Sequence, residues 1–271
     1  MSWSDFEYST ASGQPVTLYE FVRGDTQYFR YTNADQDISL GGNTWLHQAI
    51  SDGGLTVGAG DSLDVTVPAD NPVAMLYRNV PPSSPVRIRI HRWHVDDTQG
   101  EFRTVWIGTI TEVKREAIDR TQLITASLAS TFTRSGLRLT WGRACPYSLY
   151  DHNCKMAPEQ FAVGGLVVTA LDGVSITVNL PAELPGDWFS GGYVEWIVDG
   201  VTERRGLRAQ NGNQLGLFGG SVGINVGQVV TLFPGCDRTI DTCNTKFNNV
   251  LNYGGEPHMP GKSPYQIIKL F

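Results

Sequence analysis

Cysteine occurs four times in these 271 residues and always in pairs: Cys145 and Cys154 in CPYSLYDHNC, then Cys236 and Cys243 in CDRTIDTC. Four thiolates are the ligand set of a tetrahedral metal ion or of an iron–sulfur cluster. Pro146, Asp151 and Asn153 surround the first pair, and Pro234, Gly235, Asp237 and Asp241 the second. These are turn-forming residues, able to wrap a ligand. Three readings stand open. Inert core thiols would sit among Val, Ile and Leu, yet all four lie in polar stretches. Two disulfides suit an even count, but disulfide-stapled domains carry more cysteine in shorter chains. The opening MSWSDFEYST also has neither the basic start nor the apolar core of a signal peptide, which makes a reducing cytosol the expected compartment. A shared metal or cluster site uses all four thiols, at spacings, C-x8-C and C-x6-C, wider than zinc-finger or ferredoxin knuckles.

A fourth chemistry is nucleophilic, with Cys145 or Cys154 attacking and His152 or His258 as base, as in a cell-wall peptidase. Against it, no sharp strand-to-helix turn surrounds either cysteine, and His152 reads as a polar turn residue. His47, His91 and His94 fall among aromatics in strand-like runs. Phosphate-binding glycine motifs are absent, and the glycines of FGGSVG read as hairpin turns.

The elements that must position these thiols are strands. PVTLYEFVRG and TQYFRYTNAD alternate polar with aromatic or β-branched residues and read as a hairpin closed at Gly24 and Asp25. LTVGAG, LDVTVPAD, RTVWIGTITEVKREA and TQLITASLAS add strands, and NPVAMLYRN is the early helix candidate. In PVRIRIHRWHV, period-two geometry sets Val86, Ile88, Ile90 and Arg92 on one face and Arg87, Arg89 and His91 on the other. That basic face suits acidic partner surfaces or plain solvation. The expected fold is all-β with minor helix, as β-barrel or sandwich domains. A first domain covers 1–139. A second, 140–271, holds FAVGGLVVTALDGVSITVNL, YVEWIVDGVTERRGLRAQ and QVVTLFPG, with a cysteine pair at each end. A site using all four thiols would tie the two ends of this unit together and couple metal binding to folding. The formal charge of −6 leaves no basic field for nucleic acid or anionic membrane, and no apolar run reaches transmembrane length.

The segment after Cys243, NTKFNNVLNYGGEPHMPGKSPYQIIKLF, is rich in Asn, Gly and Pro yet holds Phe247, Tyr253, Met259 and Tyr265. It reads as a defined wrapping loop, with Asn and Gly in left-handed backbone and aromatics docked on the body. CPYSLYDHNC, a β module, then GCDRTIDTCNTKFNNVLNYGGEPHMPG strongly resembles the hub or tail-tip proteins of long-tailed phages and gene transfer agents. TNADQDI, VRIRIHRWHVDD and WIGTITEVKRE extend the likeness over nearly the whole chain.

The resemblance implies a 4Fe-4S cluster on Cys145, Cys154, Cys236 and Cys243 as a structural staple, with zinc the alternative occupant of an all-cysteine site. It implies two tube-like β domains, and three copies in a ring below the distal tail protein that adapts sixfold tail symmetry to threefold. Further partners it implies are the tape-measure protein and central tip or receptor-binding proteins. DNA would meet the ring only in transit, for which an acidic balance is suited, and no stable membrane insertion is expected. The expected location is the virion tail tip or baseplate, after assembly in the host cytoplasm. Some relatives continue into larger domains beyond this signature, so fibre attachment and receptor contact are expected of another chain.

Overall fold

Apolar and polar residues alternating with period two build this all-β protein. The computed structural model describes residues 3–10, 13–54, 62–97, 100–132, 136, 139 and 141–260. The chain divides into two compact units, Met1–Arg134 with Val198–Glu203, and Ser135–Ile197 with Arg204–Phe271.

The first unit runs α1 (Trp3–Tyr8), β1 (Pro15–Arg23), β2 (Gln27–Thr32), β3 (Ile38–Leu40), β4 (Asn43–His47), β5 (Ser51–Asp52), β6 (Ser62–Pro68), α2 (Pro72–Leu76), β7 (Val86–His94), β8 (Arg103–Arg115) and β9 (Arg120–Ser127). Its strands form one nine-stranded sheet in the order β3-β4-β2-β1-β7-β8-β9-β6-β5. The barrel or sandwich read from this half is thus a sheet with two ends among the described residues. Its core gathers Tyr19, Phe21, Val65, Val67, Ile88 and Leu123 from four strands, with Val73 of α2 packed in. The hairpin of β1 and β2 turns at Gly24, whose φ of 57° glycine adopts without steric cost. Helix α2 forms where expected because Asn71 caps it, its Oδ1 accepting from the Val73 and Ala74 amides, and Pro72 sits at the tolerant first position. Helix α1 was not foreseen. It buries Trp3 and Phe6, which pack on the ring of His94.

Strand β7 keeps the expected alternation: it pairs with β1 in unbroken register, and Val86, Ile88 and Ile90 are buried while Arg87 and Arg89 are exposed. The irregularity against β8 places its extra residue, Val105, on β8. His91 shares the face of the arginines but is buried there, its ring edge-on to Trp45 and Phe102 and its Nδ1 2.9 Å from Thr104 Oγ1. The acids that meet those arginines belong to this chain: Glu20 lies 3.3 Å from Arg89 and Asp25 2.6 Å from Arg87. The strand read through TQLITASLAS gives way at Leu128 to a 3-10 turn, and LTVGAG at 55–60 lies outside the described residues.

In the second unit β10 (Val163–Leu171), β11 (Ser175–Val178), β12 (Tyr193–Val198), β13 (Val201–Asn211), β14 (Gln214–Leu217) and β15 (Val229–Phe233) close a barrel in the order β10-β11-β14-β13-β12-β15. Val168, Ile176, Val178, Val194, Leu207, Leu215 and Leu232 are fully buried. Each such side chain contributes about 1.5–3 kcal/mol over its exposed state. Asp199 and Gly200, with φ of 51° and 76°, join β12 to β13 in a two-residue turn of the type that matches strand twist. Strand β14 was hidden from the sequence by its Asn and Gly neighbours. The glycines after it, Gly219, Gly220 and Gly223, take positive φ in a turn that leads to β15, which does not pair with β14, so the segment is not the hairpin turn expected. A short helix, α3 (Ile240–Thr245), follows β15.

Candidate functional site

The stretch before β10 is folded around one carboxylate. Asp151 Oδ1 accepts from the amides of Asn153 at 2.9 Å and Cys154 at 2.7 Å, and Oδ2 from that of Ser148 at 3.0 Å. Tyr150 and Lys155 take left-handed backbone at φ 66° and 58°. The wide C-x8-C spacing is therefore a compact turn that aims Cys154, where a knuckle would use a shorter one. After β15, Asp237 Oδ1 accepts from both the amide and hydroxyl of Thr239, and Thr239 Oγ1 caps α3 by accepting from the Thr242 amide at 3.2 Å. Cys243 rides on this helix, where the sequence suggested only a turn. Cys236 Sγ accepts from the Arg238 amide at 3.3 Å, and the two cysteine loops join directly through the Cys145 amide and the Arg238 carbonyl at 3.0 Å.

The wrapping loop locks both together. Lys246 Nζ donates to the carbonyls of Trp188 and Gly235 at 2.5 and 2.8 Å. Phe247 is buried against Tyr150 and Phe161, and Asn248 takes φ 49°. Asn249 donates from Nδ2 to the Cys154 carbonyl at 2.7 Å, lies 3.8 Å from Cys154 Sγ, and gives its own amide to the Cys243 carbonyl at 2.9 Å. The Tyr253 hydroxyl reaches the carbonyls of Arg143 and Arg238. Gly254 and Gly255 are required by contact: a Cβ would lie 2.3 Å from the Tyr147 ring at the first and 2.6 Å from the Arg143 carbonyl at the second. Tyr265 and the terminal apolar stretch lie outside the described residues.

Cys145, Cys154, Cys236 and Cys243 all line one cavity of about 140 Å³, walled also by Tyr147, Met156, Phe247, Asn249 and Tyr253. All four are free thiols, partly buried. Burial pushes the Cys236 and Cys243 thiols up, and the neighbouring cysteines push both further. Crowded sulfurs of this kind resist ionising together unless a cationic centre lies among them. Among the described residues no three His, Cys, Asp or Glu side chains stand close enough as they are to hold a single ion. The sulfurs stand round a cavity, a donor set that fits a multi-atom, thiolate-ligated group. Neither His152 nor His258 lines the cavity. Asp151, expected as a turn residue beside the first pair, does set that turn, whereas sequence reading missed Lys246 and Asn249 as residues that shape the site. The Lys and Asn of KFNN were the available signals.

A closed barrel whose two ends meet in a thiol-lined loop cluster, on a chain that also carries a large β-sheet unit, is a structural β module. The family described as "Baseplate hub protein, N-terminal attachment domain" matches residues 9–157, more than half of the chain, and the protein belongs to that family. A second family, "Phage conserved hypothetical protein BR0599", matches residues 187–263, which span Cys236, Cys243 and the wrapping loop. A chain of the "Virion of native gene transfer agent (GTA) particle" shares the fold with a TM-score of 0.76 at 17% identity, over 96% of this chain and 93% of that one. No curated protein sequence matches. The protein is a structural component of the phage tail and baseplate, located in the virion in association with other tail or baseplate proteins.

Proposed function

We infer that this protein is a hub or tail-tip adaptor, without catalytic activity, that forms a threefold ring below the distal tail protein and joins the tail tube to the central tip. It is stapled by a 4Fe-4S cluster on Cys145, Cys154, Cys236 and Cys243. The observation that carries the staple is that four thiols from both ends of one barrel line a single cavity of about 140 Å³. The group, when bound, supplies ties through iron between thiolates far apart in sequence. This chain's residues do the rest. Asp151 and Thr239 set the turns, Asn249 and Lys246 lock them, and Tyr147 and Phe247 wall the cavity from water. A cavity, as opposed to a point, favours a multi-atom group over a lone zinc ion, whose four sulfurs would have to close to about 2.3 Å from the metal. Assembly in the host cytoplasm supplies both reduced thiols and cluster insertion. The tape-measure protein, central tip or receptor-binding proteins are the remaining partners of such a ring, and DNA meets it in transit.

The test is iron and acid-labile sulfide analysis, with a visible spectrum, on protein purified without oxygen. Iron with matching sulfide is expected, falling to a small fraction in each single Cys→Ser variant together with tail assembly. Zinc at one ion per chain would replace the cluster. Wild-type iron and infectivity in all four variants would overturn the ligand assignment. A mass corresponding to three copies in the isolated tail tip is expected, and six would overturn the threefold ring.

A further inference from the structure

We propose that Lys246 is the positioning residue of the thiol site, clamping the loop that carries Cys236 and serving as counter-charge to the anionic group bound there. This rests on the cluster reading above for its second half only. Lys246 follows α3, the helix that bears Cys243, and its ammonium reaches back to two other segments: the Gly235 carbonyl, immediately before Cys236, and the Trp188 carbonyl. One side chain thus fixes the relative position of two of the four thiols. Gly235 itself admits no side chain, since a Cβ there would lie 2.0 Å from the Ser190 carbonyl.

The placement of the charge is the second observation. The ammonium lies 4.6 Å from the centre of the Trp188 ring and 5.5 Å from that of Phe247. It is half-buried, and burial pushes its pKa down, opposed first by Cys236 and then by Asp187 and Asp237. Among the described residues none of those carboxylates forms an ion pair with it within 4.0 Å. A partly desolvated cation without a bound carboxylate is costly, and the negative charge of a tetrathiolate centre beside it offsets that cost. Lys246 also lines a separate open cleft of about 640 Å³ together with Trp188 and Cys236, and Cys236 lines the thiol cavity as well, so the ammonium shares that cleft with one of the four thiol residues.

The test uses the full chain as wild type, Lys246→Met, Lys246→Gln and Lys246→Arg. In iron-free protein, Lys246→Met is expected to speed amide exchange across 235–238 about tenfold, the scale of one lost hydrogen bond, while barrel amides stay at wild-type rates. After anaerobic loading with ferrous iron and sulfide, Lys246→Met should retain several-fold less iron against a chelator. Its remaining cluster should have a more negative reduction potential, because removing a nearby cation disfavours the added electron. Lys246→Arg should restore the potential. If Lys246→Met fails to fold, seen as loss of barrel protection, Lys246→Gln decides, since it keeps a donor but not the charge: its potential should shift while its exchange changes less. Exchange unchanged in Lys246→Met overturns the clamp, and an unchanged potential in the neutral variants overturns the counter-charge. Wild-type protein that takes up no iron overturns the cluster and the counter-charge with it, while the exchange rates still decide the clamp.

Discussion

Replacing Asn249 by alanine should destabilise the barrel unit by about 2–4 kcal/mol, far more than an average Asn→Ala change. Asn249 is 7% exposed, and its amide works in two directions. Nδ2 donates to the Cys154 carbonyl at 2.7 Å, and Oδ1 accepts from Asn252 Nδ2 at 2.6 Å. Alanine leaves the Cys154 carbonyl without this donor, at about 1–3 kcal/mol for an unsatisfied group, and removes the second bond at about 1 kcal/mol. With a urea slope of about 1–3 kcal/mol/M, the midpoint should fall by roughly 1–2 M. Amide exchange of barrel peptides along a urea series reads this out without interference from the other unit. Asn252→Ala removes only one of the two bonds and should cost about 1 kcal/mol, and the exposed Asn244→Ala should stay within about 0.5 kcal/mol. If Asn249→Ala moves the midpoint no more than Asn244→Ala does, the KFNN segment is not what holds the first cysteine loop.

Gly254→Ala places a methyl 2.3 Å from the Tyr147 ring, which also walls the thiol cavity, so a loss of about 1–3 kcal/mol is expected with reduced iron retention. An unchanged melting curve and iron content would show that the ring shifts freely. In the first unit, which takes in Val198–Glu203 at the start of β13, Arg23 Nη2 pairs with Glu203 Oε1 at 2.7 Å, the two side chains being 6% and 8% exposed, and Glu203 Oε2 also accepts from the Ser83 amide. Glu203→Ala leaves a buried guanidinium unpaired and should cost about 3–5 kcal/mol in denaturant unfolding. Glu203→Ala and Arg23→Met combined should cost less than the single change, because the stranded charge is then gone.

The strands were legible because their signal is local. Period-two alternation in β1, β7 and β9 and the Asp-Gly turn at Asp199 need no tertiary context. The misses share a cause as well. His91 is buried on the arginine face because Trp45 and Phe102, far off in sequence, cover it there, which alternation along β7 cannot show. Closure of the second unit depends on β15 pairing with both β10 and β12, a non-local choice that alternation cannot encode. Helix α1 is six residues long and depends on His94, far along the chain, to bury Trp3 and Phe6. At the thiols, composition and clustering singled out Cys145, Cys154, Cys236 and Cys243. The residues that aim them, Thr239, Lys246 and Asn249, are common polar types whose roles exist only once the loops meet.

How tightly metal binding is coupled to folding follows from what already holds the loops. The sequence suggested a site that couples metal binding to folding, and in a module with little core of its own such a group contributes much of the folding energy, as zinc does in a finger. The barrel instead fills its interior with seven fully buried aliphatic side chains among those described, and the cysteine loops are joined without metal by the Cys145–Arg238 and Asn249–Cys154 bonds and by the Lys246 clamp. Cross-linking a loop of some eighty residues would restrict the unfolded chain by about 4–5 kcal/mol in the chain-entropy picture. Much of the local ordering that a bound group would otherwise have to impose is already present in these contacts. The physical consequence is that the proposed staple would fix a loop cluster already ordered by these contacts, where the wrapping segment and α3 meet, and would add little to the packing of the barrel core.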